Sequence, residues 1–243
     1  MKDKPGNDCG AGPAICATRP PSGSVPMIIM VISLIFGGCQ TGGNIVEQAL
    51  LPVDVQIINY HRKEIHKSLE EFTRRLYLKN PKYEQDPEQR MKKIDGIFHE
   101  GELPDTGIND KPSHEILTAA FEPEPAYADR IYLLGLGLEK SVREAYDIGE
   151  GPFVTSLQLP IEKLEKLYLN IGHVNWRLKV YRDEEGELLF LTNEAGEDGY
   201  INMGYEVITT EILTRIKDDI YIRGGIPPKF FFEMSTLFLA IIF

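Results

Sequence analysis

Apolar residues recur along most of this chain at intervals of three and four rather than two, a spacing that predicts helices. Ile65, Leu69, Phe72 and Leu76 share one face while Arg62, Lys63, Glu70, Glu71 and Arg74 take the others. A helix is therefore expected over about 60–79, ended by Asn80-Pro81. Asp86, Pro87 and Gln89 offer an N-cap, a first-turn proline and an N3 side chain for a second helix, striped by Met91, Ile94 and Phe98. His99 to Pro112 reads as a loop, with Asp110 as cap candidate for a short helix from Ser113 to Phe121. Beyond Glu122-Pro123-Glu124-Pro125 a long apolar helix is expected over about 126–147, carried by Ile131, Leu134, Leu138, Val142 and Ala145. Gly149, Gly151 and Pro152 end it.

The pattern then changes. Phe153 to Leu159 is expected to be extended, and Pro160 stands at N1 of a helix to about Val180 on Leu164, Leu167, Ile171, Val174 and Leu178. Leu188 to Leu191 is too short an apolar run for a helix and reads as a strand or a buried loop. Asn193 to Gly204 is a loop, a last helix covers about 205–222, and Gly224-Gly225 with Pro227-Pro228 breaks it. Each helix has one apolar stripe to bury, so the expected fold is mostly α, a single-domain helical bundle over 53–243 with at most a short strand or hairpin.

Upstream of the helices lies a run of another kind. Met27 to Phe36 is apolar at nine of ten positions, Ser33 being the exception, and breaks into Gly37-Gly38 followed by Cys39. Ten residues rise only about 15 Å as a helix, half of a hydrocarbon core about 30 Å thick. A short apolar run before small residues has the form of an export signal that is removed. With a cysteine directly after the glycines, it resembles the lipobox of bacterial lipoproteins. That resemblance implies a cleaved signal peptide over 1–38, acylation at Cys39, and a tether over 39–52 that begins with Gln40. In two-membrane bacteria Asp after the cysteine retains a lipoprotein at the inner membrane, so Gln40 implies the outer membrane. RRLYLKNP from Arg74, LEKLYLNIGHVNWRL from Leu164 and GELLFLTNE from Gly186 together are similar to segments in a group of mostly helical bacterial lipoproteins. That group brings no activity, substrate or catalytic residue with it.

Charge narrows the partners. The net charge is −11 with 26 Lys+Arg against 37 Asp+Glu, and the leader is slightly positive, so the rest is more acidic still. Nucleic-acid binding rests on cations that neutralise phosphates, and anionic headgroups repel such a surface. Membrane attachment is therefore expected through acyl chains, several of which anchor stably where one is marginal. Of the three cysteines, Cys9 and Cys16 lie in the leader and Cys39 is the anchor, so the body is expected to hold together without disulfides.

Candidate chemistry is sparse. Gly135-Leu136-Gly137 lacks the third glycine and the preceding strand of a dinucleotide loop, and two glycines in a buried helix instead mark a close helix approach. His61 and His66 are five residues apart, roughly 140° around a helix, which separates them. His99-Glu100 and His114-Glu115 begin like a zinc-protease helix without its second histidine, and His173 stands alone. The acids from Asp183 to Asp198 lack the order of a calcium loop, and no serine elbow occurs. No catalytic, cofactor or metal residue is assigned on these grounds, and the reading leans away from an enzyme.

The last fifteen residues are apolar at eleven positions. They read first as a helix packed into the bundle from Pro227-Pro228 onward. The second reading makes Phe230, Phe231, Phe232, Phe238 and Phe243 an exposed surface for a partner or lipid, and a barrel strand ranks last. The functional expectation is a lipid-anchored, periplasm-facing binding or assembly component of the cell envelope with a protein partner there. A periplasmic hydrolase and a carrier of an apolar ligand are its rivals.

Overall fold

The computed structural model describes residues 51–99, 101–125, 127–192, 204–229, 238, 239 and 241. The chain divides into two units, Met1–Ala49 and Leu50–Phe243, and every described residue belongs to the second. Cys39, most of the tether, Phe230, Phe231, Phe232 and Phe243 lie outside the described residues.

The described part is mostly helical, with six α-helices and no sheet. Helix α1 is Val53–Lys79, α2 Pro87–Phe98, α3 Ser113–Phe121, α4 Arg130–Ala145, α5 Ile161–Val180 and α6 Gly204–Ile222. Helix α1 starts seven residues earlier than the stripe suggested, because Val55 and Ile58 continue the buried face of Ile65, Leu69, Phe72 and Leu76 toward the N-terminus. Asp86 caps α2 as its sequence indicates, its carboxylate accepting from the Glu88 amide at 2.8 Å with Pro87 in the first turn. Asp110 does not cap α3. The Ser113 amide and hydroxyl both donate to the carboxylate of Glu144 instead, a partner 31 residues away.

Helix α4 is the centre of the bundle and packs against α1, α2, α3 and α5. Thirteen of its sixteen residues are buried, so it is enclosed on nearly all sides rather than along one stripe. It begins at Arg130 and not near 126, because Asp129 caps it, one oxygen accepting from the amides of Ile131 and Tyr132. The other oxygen accepts from the Tyr77 hydroxyl of α1 and the Lys93 ammonium of α2 at 2.9 and 2.7 Å, so one carboxylate ties three helices. Burial opposes the Lys93 charge, but the bonds to Asp129 and Glu84 outweigh it and raise its pKa above the ordinary lysine value. Arg130 turns the other way and donates to the carbonyls of Ala120, Glu122 and Pro123, closing the end of α3.

The two glycines of α4 are close approaches. A Cβ at Gly137 would sit 2.8 Å from Leu117 Cγ, and one at Gly135 would sit 3.0 Å from Thr73 Cγ2. Helices α3 and α1 can thus lie nearer to α4 than any larger residue would allow.

The segment before α5 departs from its expectation, and residues 188–191 take one of their two expected forms. Residues 153–159 are not simply extended: Thr155 and Gln158 form a reciprocal capping box around a 3₁₀ turn, Ser156–Gln158, and Pro160 is the N-cap of α5 rather than its first residue. At 188–191 there is one antiparallel bridge, Arg182 to Leu188, after which Leu189 and Phe190 enter the core as a buried loop. Phe190 packs on Phe121, and Asn80 binds both the amide and the carbonyl of Leu191.

Candidate functional site

Helix α1 presents two histidines on different sides, and each meets a buried carboxylate. His61 Nδ1 lies 2.6 Å from Asp219 Oδ1 of α6, and the Tyr146 hydroxyl donates to the other oxygen of Asp219 at 2.6 Å. Asp219 is fully buried, which disfavours its charge and pushes its pKa up to about 6 despite the donors from Tyr146 and His61. Burial and then the Asp219 charge hold the Tyr146 hydroxyl well above the ordinary tyrosine range.

Further along α1, His66 Nδ1 lies 3.1 Å from Glu139 Oε1 of α4. Arg143, one turn on from Glu139, donates to the same oxygen at 2.8 Å and to the Ile97 carbonyl at 3.2 Å. The hydrogen bond that the protonated ring donates to Glu139 does most to raise the His66 pKa, outweighing burial, and the main chain at Phe98 adds to it. Phe98 also sets its ring edge-on to His66 at 5.5 Å, and His99 stands 6.2 Å from His66, ring to ring, with its Nε2 3.3 Å from Glu70.

These groups line a cleft of about 1160 Å³ bounded by α1, the ends of α2 and α4, and the segment from Asp147 to Phe153. Two helix C-termini point here, each with about half a negative charge. That accounts for cationic groups gathering at them, Arg143 on the end of α2 being the clearest case. Gly149 and Gly151, at φ +75° and +112°, let the bordering loop turn where a side chain would strain it. Arg62 and Lys63 stand exposed on the rim, forming no ion pair among the described residues. The cleft is thus balanced in charge on a strongly acidic protein.

Glu139 is the unusual group of the set. Its side chain is 5% exposed, one oxygen receives both His66 and Arg143, and the second oxygen has no partner among the described residues. A buried acceptor without a donor costs about 1–3 kcal/mol. A donor supplied by water or by a ligand would recover it. No serine, threonine or cysteine lines the cleft, and among the described residues no three metal-binding side chains converge.

None of these residues was singled out by sequence as part of a common site. The five-residue separation did set His61 and His66 apart, as the sequence indicated, but each proves to have a carboxylate partner supplied by a different helix. His173 is buried beside Phe238, its Nδ1 without a partner among the described residues, and burial followed by Arg177 lowers its pKa. His114 lines a separate depression of about 340 Å³. Of the C-terminal phenylalanines, Phe238 is described, and it is 5% exposed with the Arg177 guanidinium 4.1 Å above its ring. Phe238 therefore belongs to the core and not to an exposed surface. Asn170 holds the same segment, donating to the Leu239 carbonyl at 2.9 Å and accepting from its amide at 2.8 Å.

No family model, curated protein or solved structure matches this chain.

Proposed function

We propose that this chain is a lipid-anchored component of the cell envelope, held at the outer membrane through Cys39, whose helical domain faces the periplasm and binds, in the cleft at His66 and Glu139, a small ligand that carries both a hydrogen-bond donor for Glu139 and an anionic group for Arg62 and Lys63. The observation that carries the binding reading is the buried Glu139, one oxygen held by His66 and Arg143 and the other without a donor among the described residues, with the unpaired cations Arg62 and Lys63 also lining the cleft. Support for the anchor is the short apolar run that ends in Gly37-Gly38-Cys39, together with an acidic body that needs acyl chains to stay on a membrane.

Two experiments test the two halves. Metabolic labelling with a fatty acid should mark the wild type and not Cys39→Ala; label that persists refutes the site. Thermal-shift screening of the acylated protein against small carboxylates and phosphates should find stabilisers that Arg62→Gln/Lys63→Gln and His66→Ala no longer respond to. A hit that those variants bind equally well places the ligand elsewhere.

A periplasmic hydrolase draws on the same pair, since an imidazole oriented by a carboxylate is suited to general acid–base work. Among the described residues the lining offers no serine, threonine or cysteine, and its one hydroxyl, on Tyr146, is held by Asp219, which favours binding. The apolar-carrier reading needs a cavity between helices, and the void between Leu69, Phe72 and Leu138 measures about 10 Å³, too little for a ligand.

A further inference from the structure

The outward face of α1 changes chemistry along its length. Its positions at helical spacing run Val53, Ile57, Tyr60, Glu64, Lys67 and Glu71, turned away from the buried Val55, Ile58, Ile65 and Leu69. The later members are charged and tied along the helix, Lys67 to Glu64 and Arg75 to Glu71. The first three are apolar or aromatic and exposed, Val53 at 70%. Two further segments bring bare side chains to the same end. The Asp54 carboxylate is hydrogen-bonded to Ser156, which seats the 3₁₀ turn there with Leu157 74% exposed. Arg223 donates to the carbonyls of Leu157 and Leu159, and Ile226, 82% exposed, follows three residues later. Exposed apolar side chains from three segments that are tied together thus gather at one end of the domain, and such a gathering marks an interaction site.

The covalent chain indicates what covers it. Pro52 is the N-cap of α1, and Cys39 stands thirteen residues before it. The tether expected there from the sequence, with its Gly42-Gly43, would span about 20 Å root-mean-square as a Gly-rich coil, whereas α1 itself is about 40 Å long. The apolar end of α1 is thus the end kept close to an acylated Cys39. With the chain at −11, a contact with headgroups has to come from apolar side chains, and a tyrosine among aliphatic residues suits the boundary between water and acyl chains.

We propose that Val53, Ile57, Tyr60, Leu157 and Ile226 rest against the bilayer that carries the anchor, so that α1 stands away from the membrane with its Lys79 end outward. This orientation depends on the acylation of Cys39. The test uses the full acylated protein in phosphatidylcholine vesicles that contain nitroxide-labelled acyl chains. Ile57→Cys, Leu157→Cys and, as control, the exposed Leu78→Cys at the far end of α1 carry a fluorophore; all three positions are exposed, so the fold is retained. Severalfold quenching at 57 and 157 with little at 78 is the expected result. No quenching at 57 and 157 while Cys39 bears fatty acid overturns the docking and leaves the anchor standing. Energy transfer between labelled copies in place of quenching assigns the face to a second copy and equally overturns it. Absence of fatty acid on Cys39 removes the anchor and the docking together.

Discussion

His66 Nδ1 lies 3.1 Å from Glu139 Oε1, across the contact between the first helix of the bundle and its central one. The carboxylate favours the protonated ring and raises the pKa of His66 above its ordinary value. The stabilisation from this pair is fully present below the unfolded value of about 6.5 and is lost as pH rises through the raised folded value. In an NMR titration, His66 should titrate above the ordinary histidine range in the wild type and return toward it in Glu139→Gln. That variant should also lose about 1 kcal/mol of stability at pH 6, read by urea unfolding.

Asp219 gives pH dependence of a related kind. The folded state keeps its proton up to about pH 6, whereas an unfolded Asp releases it near 3.9. The folded protein therefore binds more protons between those values, and stability falls as pH rises through that window. Asp219→Asn keeps the shape, accepts from Tyr146 and offers an N–H to His61. Its urea midpoint should fall less than that of the wild type between pH 4 and 6, and at pH 7 it should equal or exceed the wild type. A wild-type protein with no slope in that window would contradict the assignment.

Gly137 and Gly135 should respond unequally to alanine. A methyl at 137 meets Leu117 Cγ at 2.8 Å and the Leu117 amide nitrogen at 3.1 Å, so backbone has to move; at 135 it meets mainly the end of the Thr73 side chain. Overpacking costs about 1–3 kcal/mol against a gain of up to about 1 kcal/mol in helix propensity. Gly137→Ala should lower the melting temperature by several degrees, and Gly135→Ala by clearly less.

Phe238 and Arg177 form a buried cation–ring stack, with the rings of Phe121 and Tyr181 at 5.4 and 5.1 Å from the guanidinium. Burial holds the Arg177 pKa below its ordinary value. Phe238→Ala removes a core ring and should cost about 3 kcal/mol. Arg177→Met, which replaces a buried charge by an apolar chain of similar length, should be near neutral. Asn170→Ala releases both bonds to Leu239 and should hasten proteolysis of the C-terminal segment, followed by mass spectrometry.

The stripes Ile65-Leu69-Phe72-Leu76 and Leu164-Leu167-Ile171-Val174 announced α1 and α5, and Asp86-Pro87 announced α2, because these signals depend only on neighbours within one turn. Asp129 was missed as a cap. Its companions Tyr77 and Lys93 lie 52 and 36 residues away, and its one local signal was an aspartate directly before the apolar run. Burial of Phe238 agrees with the first reading of the C-terminal run, but its partners Arg177 and Phe121 were not legible, since they come from other elements. The cleft was invisible for the same reason: His66 and Glu70 share one face of α1 and Glu139 and Arg143 one face of α4, but no spacing joins the two pairs.

By itself the sequence determined that this chain is a helical bundle, where its helices run and which faces turn inward, since helix period and local capping are properties of short stretches. Only the tertiary structure decided that α4 would be enclosed on nearly all sides and that His61 and His66 would each find a buried carboxylate. Those outcomes depend on which helices pack together, and the solvation a carboxylate loses on burial is made good by side chains from other elements that no local pattern encodes.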